Sequence, residues 1–555
     1  MRQVHVPVVD LFAGPGGLAE GFSALKHDRV AFDVALSVEK DVFAYRTLRL
    51  RSLFHLLSRR GGVRDEYYQY LKGAISEEDL FAAVPDEWAE AKSRCVHLEM
   101  GPRTTHQIYN HIQRAVGNTE NWVLVGGPPC QAYSVVGRSR QSKLVRSTFE
   151  KDDKHILYRE YLRILARYMP PVFVMENVKG LLSATFNGTS TFERILSDLS
   201  SPTVAVRESV NDIHPQTRRG SEYSIRSFVH PCTNSEDLKP QDYIIEAEKF
   251  GVPQRRHRVI LLGVRSDLVS ASNLSLRPST APPVQAVLAD IPPVRSQLSR
   301  EEDSQELWLR RIRSALLSLR GVDLDQEVRE AMMLAAESLR TKVGRGGRSV
   351  PRMKGFSLPR TPLTDWLTDS RMDFVCNHET RKHISQDLLR YLFASCYAQV
   401  RPASASPKLH DFPSELLPQH KNVAETLRLK HGNFNDRFRV QVADQPATTV
   451  TSHIAKDGHY FIHHDPTQCR SWTVREAARV QTFPDNYFFE GARTDQYRQV
   501  GNAVPMSRIA DCERCGRSSG GTIMRTVQRS EIQPFLSTSK TNESWTTSLQ
   551  GSPRI

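Results

Sequence analysis

The chain has 555 residues, which is enough for a large hydrophobic core and two or three domains. Its 75 lysines and arginines exceed its 62 aspartates and glutamates, and the net charge of +13 favours an anionic partner without identifying it, since a basic soluble enzyme is equally compatible. We expect no signal peptide and no membrane-spanning segment, and the mostly scattered distribution of the 8 cysteines suits a reducing cytoplasm.

The first predicted element is an apolar strand that runs into a glycine-rich turn, with the sequence VVDLFAGPGGLAEGF over residues 8–22. A helical pattern follows the turn. Glycines let the backbone approach a ligand closely, and the amino end of a helix adds a favourable dipole. The spacing differs from the dinucleotide fingerprint GxGxxG, so a nicotinamide cofactor is disfavoured.

An acidic residue ends the next predicted strand, in the sequence SVEKD at residues 37–41. Glu39 comes about twenty residues after the glycine turn, where an acid suits a pair of ribose hydroxyls. Residues 51–120 then carry helical patterning and mixed charge. We interpret this segment as an insertion that decorates the sheet.

A cysteine directly follows two prolines in GGPPCQAYS, at residues 126–134. The prolines fix φ and remove two backbone donors, so the turn after the apolar run 122–125 is stiff. Open α/β sheets place their chemistry at the carboxyl ends of strands, which makes Cys130 a candidate nucleophile. The alternative is a cysteine packed inertly in the core.

Two further strands carry charged residues at their ends. The sequence VFVMENV at residues 172–178 places Glu176 near the end of a buried strand, where it is either a functional carboxylate or the cap of the next turn. The sequence QRRHR precedes the strand 259–264. Arg256 and Arg258 alternate and so share one face, where their guanidinium groups suit an anion or carbonyl oxygen, or form surface salt bridges.

The composition of the chain changes after residue 264. Strands alternate with helices over residues 1–264, which predicts an α/β fold with a mainly parallel sheet and a second polar insertion at 183–240. Residues 272–293 are rich in serine and proline and indicate a crossing between domains. Beyond it we predict helices over 301–342 and 376–400, a flexible basic loop at 342–349, and strands over 438–442, 447–451 and 459–462.

Two further motifs, REAARVQTFPD and QVGNAVP (residues 499–505), follow those described above. Together the motifs occur in the order found in the C5-cytosine DNA methyltransferase family, which the chain resembles over most of its length. The resemblance implies a Rossmann-like, S-adenosylmethionine-dependent methyltransferase sheet with a smaller target-recognition domain. The expected division is a catalytic domain (residues 1–264), a target-recognition domain (265–470), a return segment that completes the catalytic domain (471–510), and a divergent disordered tail (511–555).

The resemblance also implies roles for individual residues. Cys130 adds to the target cytosine, Glu176 contacts the base, Arg256 is the active-site arginine and Arg258 supports it. The expected S-adenosylmethionine pocket consists of Phe12, Gly14, Gly16, Glu39, Pro129 and Asn502. Expected DNA contacts are Arg345, Arg348, Arg437 and Arg439. The family usually has an aspartate after the third strand for the adenine amino group; Glu99 is the substitute that this sequence offers.

We expect double-stranded DNA as the partner, turned-out cytosine as the target, a cognate restriction endonuclease, a monomer, and a nucleoid-associated place in the cytoplasm. No metal is expected, because Cys512 and Cys515 form only half of a zinc site. A tRNA cytosine methyltransferase shares the catalytic motifs, but the long segment 265–470 argues against it. A DNA-binding remnant disabled by its altered carboxyl terminus is a further alternative. Amino-group methyltransferases are disfavoured, since their Asp/Asn-Pro-Pro-Tyr/Phe motif is missing.

Overall fold

The computed structural model describes residues 4–27, 30–129, 153–186, 189–207, 222–231, 237–268, 275–339, 343–402, 404, 406–418, 423 and 435–505. Cys130 and the tail 511–555 with its two cysteines therefore lie outside the described residues, so the predictions made for them stay predictions.

The strands are β1 (Val4–Leu11), β2 (Lys26–His27), β3 (Val30–Glu39), β4 (Cys95–His97), β5 (Val123–Gly126), β6 (Val172–Val178), β7 (Thr185–Phe186), β8 (Thr189–Ser190), β9 (Tyr223–Arg226), β10 (Ile244–Glu246), β11 (Gln254–Arg255), β12 (His257–Arg265), β13 (Gln297–Leu298), β14 (Gly346–Pro351), β15 (Phe374–Glu379), β16 (Lys382–His383), β17 (Val440–Gln441), β18 (Ala447–Thr448) and β19 (Ile462–His463).

The helices are α1 (Gly17–Ala24), α2 (Val42–Arg59), α3 (Asp65–Lys72), α4 (Glu77–Ala83), α5 (Pro85–Arg94), α6 (Thr105–Val116), α7 (Asp153–Tyr168), α8 (Thr191–Ser200), α9 (Pro202–Arg207), α10 (Gln285–Leu288), α11 (Gln305–Leu317), α12 (Gln326–Glu337), α13 (Pro362–Leu367), α14 (Ser385–Val400), α15 (Val474–Val480) and α16 (Arg493–Asn502). Within the described residues, none of them is both long and apolar enough to cross a bilayer.

A twisted mixed sheet forms the centre of the first half of the chain. Its strand order is β10-β12-β6-β5-β1-β3-β2, with β4 beside β3 and β9 beside β12. Strands β1, β3, β4, β5 and β6 run parallel, whereas β12 is antiparallel to β6. The predicted α/β class and Rossmann-like sheet are therefore confirmed. The order reverses between β1 and β5, and such a reversal opens a crevice at the carboxyl ends of the strands.

Both faces of the sheet are apolar, because successive side chains of a strand point to opposite sides. In β1, Val9 and Leu11 pack in one buried cluster and Val6 and Val8 pack in another on the opposite face. All four residues of β5 are buried. Strands buried on both faces are typical of a parallel sheet covered by helices, which here makes the strand ends a rigid base for the site.

The insertion at residues 51–120 contains more than surface helices. It includes β4, which extends the sheet beside β3, and its helices α3 to α5 pack with the end of α2. Their buried side chains contact Phe374 and Cys376 of β15 and the residue Phe488. The segment therefore connects the sheet to the second half of the chain.

The second half differs from the sequence prediction in three places. The predicted basic loop at 342–349 runs into β14, which pairs with β15 through Gly346 and Glu379. The predicted helix at 376–400 begins with strand residues, and α14 starts at Ser385. The predicted strand at 459–462 is a 3₁₀ turn, His459–Phe461, followed by β19. Short elements decided by long-range pairing are the ones that local patterns miss.

Candidate active site

One cavity of about 360 Å³ opens at the strand-order reversal. It lies where β1, β3, β5 and β6 end, and helix α16 lies along another side. The sequence-predicted residues that line it are Phe12, Gly14, Glu39, Pro129, Glu176 and Asn502. The fold thus collects onto one cavity residues that are up to about 490 positions apart along the chain.

The glycine turn forms one wall of the cavity, although Gly16, which was expected in the donor pocket, does not line it. Phe12, Gly14 and Gly16 all have positive φ, of 58°, 56° and 95°. A Cβ atom on Gly16 would lie 2.8 Å from Cδ2 of Leu48 and 3.0 Å from the hydroxyl of Tyr487, so glycine is required by space as well as by backbone conformation. The turn leads directly into α1 and leaves the backbone bare toward the cavity.

Glu39 is fixed at the end of β3 by backbone amides. Its carboxylate accepts hydrogen bonds from the N–H groups of Gly14 at 2.7 Å, Lys40 at 2.9 Å and Asp41 at 2.8 Å. Asp41 in turn caps α2 by accepting from Phe43 and Ala44. The acid is therefore held rigidly beside the glycine turn, at the position expected for a ribose-binding carboxylate.

Asp10 is a cavity residue that the sequence interpretation did not single out. It is 2% exposed, and within the described residues its Oδ2 has no hydrogen-bond partner. Burial, and secondarily the nearby carboxylate of Glu39, raise the pKa of Asp10 well above its ordinary value. An aspartate inside the otherwise apolar strand β1 was the available signal, because buried carboxylates are rare without a function or a partner.

The opposite wall joins the turn after β5 to the end of β6. The amide of Asn177 donates to the carbonyl of Pro128 at 3.3 Å. A Cβ atom on Gly127 would lie 3.0 Å from Oε2 of Glu176, so the turn passes directly over this carboxylate. Pro129, the last described residue before the gap, also lines the cavity. Cys130 follows it in sequence and lies outside the described residues.

The two arginines of QRRHR have different surroundings. Arg258 places Nε 2.8 Å from Oε1 of Glu176, and both side chains are mostly buried. Arg256 is 2% exposed and donates from Nη1 to the carbonyl of Val450 at 2.6 Å. Burial first, and then the charge of Arg258, lower the pKa of Arg256 well below its ordinary value. From the sequence we expected Arg256 at the active site and Arg258 behind it; the Glu176 contact belongs to Arg258.

Asn502 is the last residue of α16 and is exposed at the cavity. Its neighbour Gly501 allows a close approach, because a Cβ atom there would lie 2.4 Å from the amide nitrogen of Ser452. Helix α16 therefore packs tightly on the turn at 452–455, close to the Val450 carbonyl that binds Arg256.

The arginines expected at DNA are largely engaged within the protein. Arg348 donates to the carbonyls of Tyr70 and Leu71 and lies over the rings of Tyr70 and Phe488. Arg439 pairs with Asp436, and Arg437 lies 3.8 Å from Asp457. Arg345 is exposed at the start of β14. Their contact with DNA stays a prediction.

Among the described residues, the side chains of Glu246, Glu248 and His257 bring potential metal-ligand atoms within 4.8 Å of one another. His257 is 2.7 Å from Glu248, and Lys249 pairs with Glu246. These ion pairs account for the cluster, and the expectation of no metal stays a prediction.

The protein is of the Rossmann-like α/β class, with the glycine turn, Glu39 and Glu176 around one cavity and Arg258 paired to Glu176. The C-5 cytosine-specific DNA methylase family matches residues 105–203 and 237–512, and the chain belongs to this family.

Curated relatives agree with this membership. The type II methyltransferase M.Bpa9945I of Bacillus paralicheniformis is 32% identical over 520 residues, which cover 90% of this chain and 95% of that protein. The type II methyltransferase M.DdeI of Desulfomicrobium norvegicum is 24% identical, with 94% of each chain covered. The DNA (cytosine-5-)-methyltransferase M.ApeKI of Aeropyrum pernix is 25% identical over 70% of this chain and 80% of its own length.

Proposed function

We propose that this DNA cytosine-5 methylase transfers a methyl group from S-adenosylmethionine to C5 of a cytosine turned out of double-stranded DNA, with Cys130 as nucleophile. The observation that carries the proposal is one shared cavity. The carboxylate of Glu176, which Arg258 contacts, and the turn that leads to Cys130 line the same space as the glycine turn and Glu39. A donor and a target base can therefore meet there.

The cavity fits the methyl donor. Gly14 presents a bare backbone with nothing within 4 Å of the Cβ position, and Glu39 offers a fixed acceptor for ribose hydroxyls. Phe12 offers a ring for the adenine, Asn502 and Pro129 border the pocket, and Asp10 supplies an unpartnered buried carboxylate oxygen within the described residues. When bound, S-adenosylmethionine supplies an electrophilic methyl group on a sulfonium.

The protein's own residues activate the cytosine, whose C5 is a poor nucleophile. Addition of the Cys130 thiolate to C6 shifts electron density to C5, and loss of the C5 proton after methylation lets the thiolate leave. Negative charge develops toward N3 and O2 of the ring during addition. We assign to Glu176, whose carboxylate lies 2.8 Å from Arg258, the sharing of a proton at N3, and to the guanidinium the stabilisation of the charge.

The base must leave the duplex, because C6 is inaccessible inside the stack. Unpairing and unstacking cost a few kcal/mol, and contacts of the target-recognition region with the backbone and base edges offset this cost. We assign this region to residues 265–470, the catalytic domain to 1–264 and the return segment to 471–510. Arg345 and Arg348 are exposed, whereas Arg437 and Arg439, the other two arginines proposed to contact phosphates, are half-buried.

The biological role that the relatives favour is restriction–modification, since M.Bpa9945I and M.DdeI are named type II methyltransferases. We infer a cognate restriction endonuclease that cuts the same site when it is unmethylated, and a monomeric protein that works at the DNA in the cytoplasm.

The test is transfer of labelled methyl groups from S-adenosylmethionine to duplex DNA, with nucleoside analysis for 5-methylcytosine. We expect methylated DNA with the wild-type protein and none with Cys130→Ala, while donor binding by this variant is retained. Cys396→Ala is the matched control, because Cys396 is buried in α14 away from the cavity. Label on tRNA alone, or on adenine or the cytosine amino group, would contradict the proposal.

A further inference from the structure

The glycine turn is supported from behind by the return segment, which contacts it at two points. The hydroxyl of Tyr487 donates a hydrogen bond to the carbonyl of Pro15, a residue that itself lines the cavity. Two residues after Pro15, the carbonyl of Val504 lies 2.5 Å from where a Cβ atom on Gly17 would be. The turn therefore depends on residues almost 500 positions later in the chain.

Tyr487 is itself held in a fixed orientation. Its side chain is 1% exposed, and its ring packs against Phe483 and Phe489 with the guanidinium of Arg51 above it, 4.8 Å from the centroid. Its own carbonyl accepts a hydrogen bond from Arg475 at 2.6 Å. Because its ring is fixed, the hydroxyl of Tyr487 holds the carbonyl of Pro15 in a defined position.

The turn needs an anchor because three of its residues have positive φ. Glycine loses more conformational freedom on folding than other residues, so Gly14 and Gly16 would sample many conformations without an outside contact. Within the turn, the amide of Gly16 donates to the carbonyl of Ala13 at 2.9 Å. The hydroxyl of Tyr487 donates to the carbonyl of Pro15.

We propose that Tyr487 is a positioning residue for the methyl donor: its hydroxyl, through the Pro15 carbonyl, holds the glycine turn in the shape that binds S-adenosylmethionine. This inference rests on the proposed function of the same cavity. Tyr487 does not line the cavity and touches no reacting atom, so its effect falls on donor binding and not on the chemical step.

The test uses Tyr487→Phe, which removes one oxygen and keeps the packed ring. The matched control is Tyr223→Phe in β9, because Tyr223 is also buried and its hydroxyl also donates to a proline carbonyl, that of Pro170 at 2.9 Å. Equilibrium binding of S-adenosylmethionine is measured for the full-length wild-type protein and both variants, together with KM, kcat and Tm.

We expect Tyr487→Phe to raise the Kd and the KM for S-adenosylmethionine about tenfold, since a buried carbonyl loses its partner. Its kcat at saturating donor stays within about twofold of wild type, and Tyr223→Phe binds the donor like wild type with a similar change in Tm. Donor binding by Tyr487→Phe within twofold of wild type, or an equal loss of affinity in Tyr223→Phe, would overturn the inference.

The two proposals fail differently. If the wild-type protein binds S-adenosylmethionine but forms no 5-methylcytosine, the proposed reaction is wrong, while the binding comparison still decides the role of Tyr487. If the wild-type protein does not bind S-adenosylmethionine at all, both proposals are wrong.

Discussion

Arg256 and Arg258 are two positions apart in the chain, yet Arg256 is enclosed by the second half of the protein and Arg258 faces the carboxylate of Glu176. Arg258 contacts Glu176, whereas Arg256 reaches the carbonyl of Val450, close to β18. Alternation along a strand predicts a shared face but not which side chain the rest of the chain covers. At this scale the structure gives the two guanidinium groups different partners.

Replacing Arg258 by lysine should lower kcat at least tenfold without changing the KM for S-adenosylmethionine. A lysine cannot reproduce the directed guanidinium contact with Glu176. Steady-state kinetics with DNA and donor varied in turn will measure this. Arg255→Lys is the control, since the exposed Arg255 contacts Gln445 instead. Normal kcat in Arg258→Lys would contradict the assignment of the catalytic pair.

Replacing Glu39 by glutamine should raise the KM for S-adenosylmethionine about tenfold at nearly constant kcat. The carboxylate accepts from three backbone amides, and a glutamine has one acceptor oxygen and an NH₂ group that would face another donor. The same assay with exposed Glu78→Gln on α4 serves as control. An unchanged KM in Glu39→Gln would show that Glu39 does not hold the donor.

At the scale of elements, the two glycines of α1 at positions 17 and 21 differ in how closely the rest of the protein packs against them. Gly17 at its start faces the carbonyl of Val504, whereas Gly21, one turn later, has no atom within 4 Å of its Cβ position. The amino end of α1 therefore depends on the chain that follows α16, and the middle of α1 does not. Substitutions at these two glycines therefore separate the effect of tertiary crowding on stability from the effect of helix propensity.

Gly17→Ala should destabilise the protein by about 1–3 kcal/mol, because the new methyl group would overlap a backbone carbonyl. Gly21→Ala should be neutral or stabilise the helix by up to about 1 kcal/mol. Denaturant unfolding of both variants measures the difference in free energy. Equal stability of the two variants would mean that the return segment does not pack on α1 as described.

The return segment also contributes buried charged residues that pair with residues outside it. Arg479 contacts Asp290 and Asp485, and Arg470 pairs with Glu476. Removal of one partner of a buried pair typically costs 3–5 kcal/mol, because the other charge is left uncompensated. The pairs of Arg479 with Asp290 and of Glu476 with Arg470 connect α15 to residues of the region that we assign to target recognition.

For the whole molecule, buried histidines make stability dependent on pH. Burial lowers the pKa of His378 to about 4, and His383 and His463 are also shifted well below their ordinary value by burial. Between about pH 4 and 6.5 the unfolded chain therefore binds more protons than the folded protein. By linkage, the stabilisation of the folded protein by these neutral histidines is fully present above about pH 6.5 and is lost as the pH falls.

The Tm should accordingly decrease steadily between pH 7.5 and 5. His378 contributes because burial disfavours its charged form, and its neutral ring bonds Thr473 and the carbonyl of Pro292. Thermal unfolding of His378→Gln should show a lower Tm at pH 7.5 but a shallower decrease toward pH 5. His106→Gln, at an exposed site on α6, should keep the wild-type slope. A wild-type Tm that rises on acidification would contradict the linkage.

Much of the site was predictable because its signals are local. The glycine turn, the strand-end acids and the Pro-Pro-Cys stretch are short patterns with a direct physical meaning, and the described members among them meet at one cavity. The confirmed α/β class follows from buried strands that alternate with helices. The strand β14 was not predicted, since it depends on pairing with β15, and the 3₁₀ turn at His459 was predicted as a strand.

The sequence by itself determined the family, the sheet and the types of residue that face the cavity, because motifs and apolar periodicity are encoded over a few neighbouring positions. Only the tertiary structure decided which arginine meets Glu176, that Asp10 is buried beside Glu39, and that Tyr487 supports the glycine turn. These outcomes depend on close packing between segments separated by hundreds of residues, and no local pattern records which side chain such packing leaves exposed.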